Sequence, residues 1–145
     1  MKKMEEENAY QHMPEHYLHC YNGECEKTET CLHWLAACHG KTTDTIVQAV
    51  NPRLNNGESC RYYRPKKMVR MAYGMLHTYD KVLAKDIAAL RGAIIARFGH
   101  GSYYLRRNGK RPVTPDEQQY ISNVFRAHGY PDGAVFDRYA DEIDW

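Results

Sequence analysis

Three cysteines fall within twelve residues near the start of this chain, in the stretch CYNGECEKTETC. They are Cys20, Cys25 and Cys31, and Cys60 opens a later segment. Close spacing along the chain brings metal ligands together at a small entropic cost, and a remote ligand can then close the site. Residues 20–60 are therefore a cysteine-rich subregion, and a metal ion bound by four thiolates would hold its first turn and helix against the segment that begins at Cys60.

The spacing of these cysteines leaves several interpretations open. The first two gaps are of four and five residues. Zinc sites typically start with a gap of two to four residues, so the first gap is at the edge of that pattern and the second lies outside it. Iron–sulfur proteins also use a four-residue gap, but a two-residue gap follows it. We expect zinc at the four cysteines, with an iron–sulfur cluster as the alternative cofactor and reduced, partly buried thiols as the alternative without metal. His33 or His39 could replace one ligand, and Cys38 is expected to be a small core residue.

Length and charge restrict the classes of protein. The chain has 145 residues and a formal net charge of +2, which predicts one domain over 1–145 that can bury a core without metal or disulfides. A pI near 8.2 is only mildly basic and does not by itself indicate nucleic-acid binding. The sequence has no apolar run long enough for a membrane span and no signal-peptide pattern. We therefore expect a cytoplasmic protein, in which clustered cysteines more often bind metal or catalyse than form disulfides.

Local patterns predict a helix-rich α+β fold with a small β-hairpin. Asn22-Gly23 indicates a tight turn that brings Cys20 towards Cys25. Residues 1–8 are expected to be disordered, and 61–145 to form a helical body. Along the chain the patterns predict a helix from Thr28 or Glu29 to Cys38, a strand over 43–50, helices over 66–76 and 82–98, a hairpin over 103–113, a helix capped by Thr114, and a short last helix within 135–145.

Two of these helices have the clearest signals. Apolar residues recur through 82–98 at helical spacing, and Gly99 follows as a C-cap. In TPDE, Thr114 is the expected N-cap, Pro115 the first helical residue and Glu117 the partner in a capping box. Gly129 is expected to end that helix.

Basic and aromatic residues alternate in RYYRPKKMVR at 61–70, and a second basic cluster, LRRNGKR, covers 105–111. Cations can contact phosphates while rings stack on bases, so nucleic-acid binding is one alternative function. A solvated charged face is the simpler explanation. The candidate binding residues are Arg61, Tyr62, Tyr63, Arg64, Lys67, Arg106 and Arg107.

Enzymatic chemistry has weaker support. A cysteine nucleophile needs a base beside it, and His33 lies two residues from Cys31, where helical side chains diverge. No local signature of a known cysteine enzyme surrounds any of the five cysteines. We therefore expect a protein that is not an enzyme.

The order of several short segments resembles an uncharacterised bacterial family of short cysteine-containing proteins, a domain of unknown function. These segments are CLHW, CRYYRP, YYLRRNGKRPVTPDEQ and the closing FDRY with a final Trp. The resemblance implies no established activity and no catalytic residues. Taken together, the sequence predicts a non-enzymatic, zinc-stabilised binding module whose partner is a protein or a nucleic acid. A thiol or iron–sulfur redox or sensor protein is the alternative.

Overall fold

The computed structural model describes residues 8–40, 43–54 and 60–145. It contains helices and a two-stranded sheet, which confirms the α+β class. The chain divides into two compact units, unit 1 with Met1–Met68 and Ile143–Trp145, and unit 2 with Val69–Glu142. One domain over 1–145 stays a prediction. Of residues 1–8, for which we predict disorder, only Asn8 lies in the described part of the chain.

Unit 2 is built around three helices, α2 (Ala84–Phe98), α3 (His100–Arg107) and α4 (Pro115–Ala127). The predicted helix over 82–98 is confirmed as α2, with Leu90 and Ile94 fully buried. Gly99 ends α2 with a φ of 81° and directly precedes α3. The buried core of this unit comprises Ala72, Met75, Tyr79, Leu90, Ile94, Tyr103, Val113, Ile121, Phe125 and Phe136.

The capped helix after Thr114 is confirmed as α4. The Thr114 side chain accepts a hydrogen bond from the Glu117 backbone N–H at 3.3 Å, and the Glu117 carboxylate accepts one from the Thr114 N–H at 3.0 Å. Pro115 takes the first helical position, where its missing N–H costs nothing. His128 is the C-cap, and Gly129 follows it with a φ of 92°.

Two segments predicted to be helices are strands. β1 covers Met68–Tyr73, where we predicted a helix over 66–76, and β2 covers Arg138–Ile143, inside the predicted last helix. The Asp137 N–H donates to the Gly74 carbonyl and the Asp144 N–H to the Lys67 carbonyl, so the strands are antiparallel. Each strand pairs one edge of its backbone with the other strand, and this long-range pairing overrides the helical spacing of their apolar residues.

The hairpin predicted over 103–113 is also wrong, because α3 occupies 100–107. Asn108 is the C-cap of α3, and Gly109 follows with a φ of 72°. The Asn-Gly pair therefore ends a helix. Only Gly109 takes the positive φ that an Asn-Gly hairpin turn requires of both residues, because Asn108 has a φ of −85°. Val113 makes a single antiparallel bridge to Ala72.

Unit 1 contains α1 (Leu32–His39), which confirms a helix here but starts it later than predicted, after Cys31. Gly40 is its C-cap, as expected. Tyr10, Leu32 and Ile143 form the buried core of the unit. The strand predicted over 43–50 is not formed in the described residues, where only Ala49 makes a bridge, to His19. None of the described helices has the length and apolar character that crossing a membrane requires.

Replacing Thr114 by Ala should remove the cap of α4 and lower the free energy of unfolding by about 1 kcal/mol. The Ser variant keeps the hydroxyl and should lose much less. Urea unfolding followed by circular dichroism measures both. Equal losses in the two variants would mean that the methyl group, and not the capping hydrogen bond, stabilises this position.

Candidate functional site

Four of the five cysteines line one small cavity in unit 1. They are Cys20, Cys25, Cys31 and Cys60, the four proposed from the sequence. The free volume of the cavity is about 20 Å³, which is room for about one water molecule. Its other lining residues are Asn22, Lys27, Thr28, Trp34 and Tyr63.

The turn predicted at Asn22-Gly23 brings the first two thiols to this cavity. The Cys25 N–H donates to the Asn22 carbonyl at 3.3 Å, and the Glu24 N–H donates to the Asn22 side chain. A side-chain carbon on Gly23 would lie 3.3 Å from the Trp34 ring, so the ring packs closely against the turn. The Cys20 N–H donates to the His33 carbonyl at 3.1 Å, which ties the start of the turn to α1.

Cys31 reaches the cavity as the N-cap of α1. Its N–H donates to the Lys27 carbonyl at 2.8 Å, and only 8% of its surface is exposed. Cys31 also makes an antiparallel bridge to Pro65, and the Leu32 N–H donates to the Arg64 carbonyl at 2.7 Å. These contacts hold the segment that begins at Cys60 against the start of α1.

The four thiols surround the cavity, but they are not arranged as the ligands of a metal ion. Among the residues that the structure describes, no group of three or more His, Cys, Asp or Glu side chains is arranged so that it could hold a metal ion. All five cysteines carry thiols. A cysteine side chain has one rotatable bond with three staggered positions, so rotation about that bond is the available route to convergence.

The alternative ligands lie outside the cavity lining. His33 places its Nδ1 2.7 Å from the Leu18 carbonyl oxygen and stacks on Tyr17. The His39 ring packs against the Tyr10 ring at a tilt of 34°. Burial raises the pKa of the Tyr17 hydroxyl above its ordinary value. The Arg64 guanidinium lowers this pKa by a smaller amount, and Cys31 and Asp144 add to the increase. Cys38 is exposed. The expectation that it is a core residue is wrong, because α1 buries the face of Leu32 and Ala36.

Two lining residues were missed from the sequence. Trp34 lies three residues after Cys31, which places the two on one face of α1. Lys27 contributes a positive charge, and its Nζ lies 4.7 Å from the centre of the Tyr63 ring. The spacing of Cys31 and Trp34 was a usable signal, but the position of Lys27 depends on the turns between 22 and 31.

Several of the candidate binding residues near Cys60 form hydrogen bonds to other groups of unit 1. Arg61 stacks on Tyr62 and donates to its hydroxyl at 2.7 Å. Tyr63 places its hydroxyl 3.1 Å from the Thr30 hydroxyl. Arg64 donates to the backbone oxygen of Trp145 at 2.6 Å, whereas Lys67 is exposed.

The second basic cluster belongs to unit 2, and one of its two candidate arginines is buried. Arg106 is buried and bonds to the Glu117 carboxylate at 2.6 Å, so it cannot contribute to an exposed binding surface. Charge in a sequence does not reveal that an arginine is neutralised by a distant acid. Arg107 is partly buried, and its backbone oxygen accepts from the Met75 N–H.

The chain belongs to DUF6078, a family of unknown function, whose family model matches residues 3–145. This confirms the resemblance to a family of unknown function, while a bacterial origin stays a prediction. Comparison with curated proteins and with solved structures finds no match.

Alkylation of the metal-free protein should follow the exposure of its thiols. Exposed Cys38 should react first and buried Cys31 last, because an alkylating reagent must reach the sulfur. Peptide mapping by mass spectrometry after short pulses of iodoacetamide measures each rate. In urea the rates should converge, and similar rates for Cys31 and Cys38 in the folded protein would contradict the burial described.

Proposed function

We propose that this DUF6078 member is a non-enzymatic binding module stabilised by one zinc ion. The ligands are the thiolates of Cys20, Cys25, Cys31 and Cys60. The observation that carries the proposal is that these four side chains, from a turn, a helix start and a remote segment, line the same cavity. Cys38, the fifth cysteine, does not line it.

The size of the cavity favours a single ion over a cluster. Thiolates bind both zinc and iron–sulfur clusters, so the ligand type alone does not separate the two. A free volume of about 20 Å³ can accommodate one ion between four sulfur atoms. A cluster of several iron and sulfide atoms needs a larger cavity. The zinc site is therefore the better fit to this part of unit 1.

Charge also favours a thiolate site. Four thiolates and one Zn²⁺ carry a net charge of −2, which needs compensation in a partly buried location. Lys27 lines the cavity and supplies one positive charge. Because the thiols must lose their protons when they bind, a nearby cation also makes that loss easier.

A bound ion would connect three parts of unit 1. It would join the Asn22-Gly23 turn and the start of α1 to the segment that follows Cys60. That segment presents the stacked pair of Arg61 and Tyr62, with 39% of Tyr62 exposed. In this proposal the metal fixes the position of that pair, which contacts a protein or nucleic-acid partner.

Elemental analysis of full-length protein purified without a metal-affinity step tests the proposal. We expect one zinc per chain. A Cys25→Ser variant should lose the zinc, and Cys38→Ser, the matched control, should keep it. Because Cys25→Ser could also fail to fold, wild-type protein is treated with a chelator and then titrated with Co²⁺, whose visible spectrum reports tetrahedral thiolate coordination.

The other outcomes would overturn the proposal. Iron with visible absorbance would identify the redox or sensor alternative. Protein without metal that gives no thiolate bands with Co²⁺ would show that the four thiols are only packed together. Loss of zinc from the Cys38→Ser variant would show that the ligand set is wrong.

A further inference from the structure

We propose that unit 2 has a separate binding site, a groove that takes a small oxyanion attached to a flat apolar group. The groove lies between the sheet and α4, and its volume is about 430 Å³, within the usual range for small-molecule sites. Arg70 of β1 and Tyr139 of β2 line one wall, and Gln119, Ser122 and Arg126 of α4 line the other. This proposal does not depend on the zinc site.

Both arginines of the groove lack an acidic partner within the described ranges 8–40, 43–54 and 60–145. Among the residues that the structure describes, no carboxylate lies within 4.0 Å of the guanidinium of Arg70 or of Arg126. No aspartate or glutamate lines the groove. By the strand register Asp141 lies opposite Arg70, yet the two form no ion pair. The groove therefore has two positive charges that its own lining does not neutralise.

Another groove of the same unit has acidic residues beside its arginines. It is lined by Arg97 and Arg106 together with Asp116 and Glu117. There Arg106 bonds to the Glu117 carboxylate at 2.6 Å. Arg106 is thus neutralised at that groove, whereas Arg70 and Arg126 have no ion-pair partner in the part of the chain that the structure describes.

Both arginines are held in place by neutral groups. Arg70 lies over the ring of Tyr139, with its guanidinium carbon 4.3 Å from the ring centre. Arg126 donates from Nε to the Pro131 carbonyl and from Nη1 to the Asn123 side chain at 3.1 Å. These contacts orient the guanidinium groups while they keep their full charge, which is the arrangement expected of an anion site before its ligand binds.

The remaining lining defines the ligand chemistry. The Ser122 oxygen accepts from the Ala134 N–H at 3.1 Å, so its hydroxyl hydrogen is left to donate to a ligand. Gln119 adds an amide, and the rings of Tyr139 and Phe136 add an apolar surface. A carboxylate or phosphate matches the planar guanidinium groups, and a flat group beside it matches the rings.

Nuclear magnetic resonance of the full, ¹⁵N-labelled chain tests the site. The probes are inorganic phosphate, phenyl phosphate and benzoate, each titrated at constant ionic strength. We expect saturable shifts at residues of β1, α4 and β2 that line the groove, with phenyl phosphate binding more tightly than inorganic phosphate. The ratio of phenyl phosphate to benzoate affinity shows whether the ligand's oxyanion is a phosphate or a carboxylate.

Arg70→Gln and Arg126→Gln should each weaken binding at least about 10-fold, the effect of losing one hydrogen bond to a charged group. Arg138→Gln is the matched control. Arg138 also lies over a tyrosine of the same sheet, with its guanidinium carbon 4.0 Å from the centre of the Tyr73 ring, but it does not line the groove. Equal weakening in the control, or shifts that follow ionic strength without saturating, would overturn the proposal.

Discussion

The bond between Arg106 and Glu117 is the interaction on which much of unit 2 depends. The carboxylate accepts hydrogen bonds from the Arg106 guanidinium at both oxygens, and one of these oxygens also completes the cap of α4 by accepting from the Thr114 N–H. Arg106 also donates to the Ser102 carbonyl and covers the ring of Phe98. One buried guanidinium thus connects the end of α2, the body of α3 and the start of α4. Removing one partner of such a pair typically costs about 3–5 kcal/mol, because the other charge stays buried.

Helix α4 also forms one wall of the proposed oxyanion groove. The side of α4 that carries Ile121 and Phe125 enters the core, so the side that carries Ser122 and Arg126 forms a groove wall. The other wall is held to α4 by Gln118, whose amide donates to the carbonyls of Arg70 and Val113 at 2.8 Å and 2.9 Å. Arg70 and Arg126, the two cations of the groove, therefore lie on elements that Gln118 joins within unit 2.

The elements that the sequence predicted well are those defined by neighbouring residues. The apolar spacing of α2 and the Thr114, Pro115 and Glu117 signature of α4 are local, and both helices form as expected. β1 and β2 are different, because their pairing joins residues about seventy positions apart in the sequence. Met71, Met75 and Phe136 are buried as a helix would also have buried them, so burial alone could not separate the two structures.

In the candidate sites, too, the features set by neighbouring residues were predictable and those set by long-range packing were not. The sequence predicted that the turn at Asn22-Gly23 brings Cys20 towards Cys25, and both residues line the same cavity as Cys31 and Cys60. The exposure of Cys38 and the burial of Arg106 depend on which face of a helix meets the rest of its unit. The oxyanion groove had no sequence signal, since Arg70, Arg126 and Tyr139 belong to three different elements and no local motif relates them.

The composition of unit 1 has a consequence for the order in which the protein can fold during synthesis. Its core includes Ile143, with Trp145 packed beside it, and the Arg64 side chain binds the backbone oxygen of Trp145. The ribosome makes these residues only after all of unit 2. Domains usually fold in the order in which they are made. Unit 2 can therefore complete its core before unit 1 does, although most of unit 1 is made earlier. Until unit 1 folds, its cysteine thiols stay accessible to oxidants and metal ions.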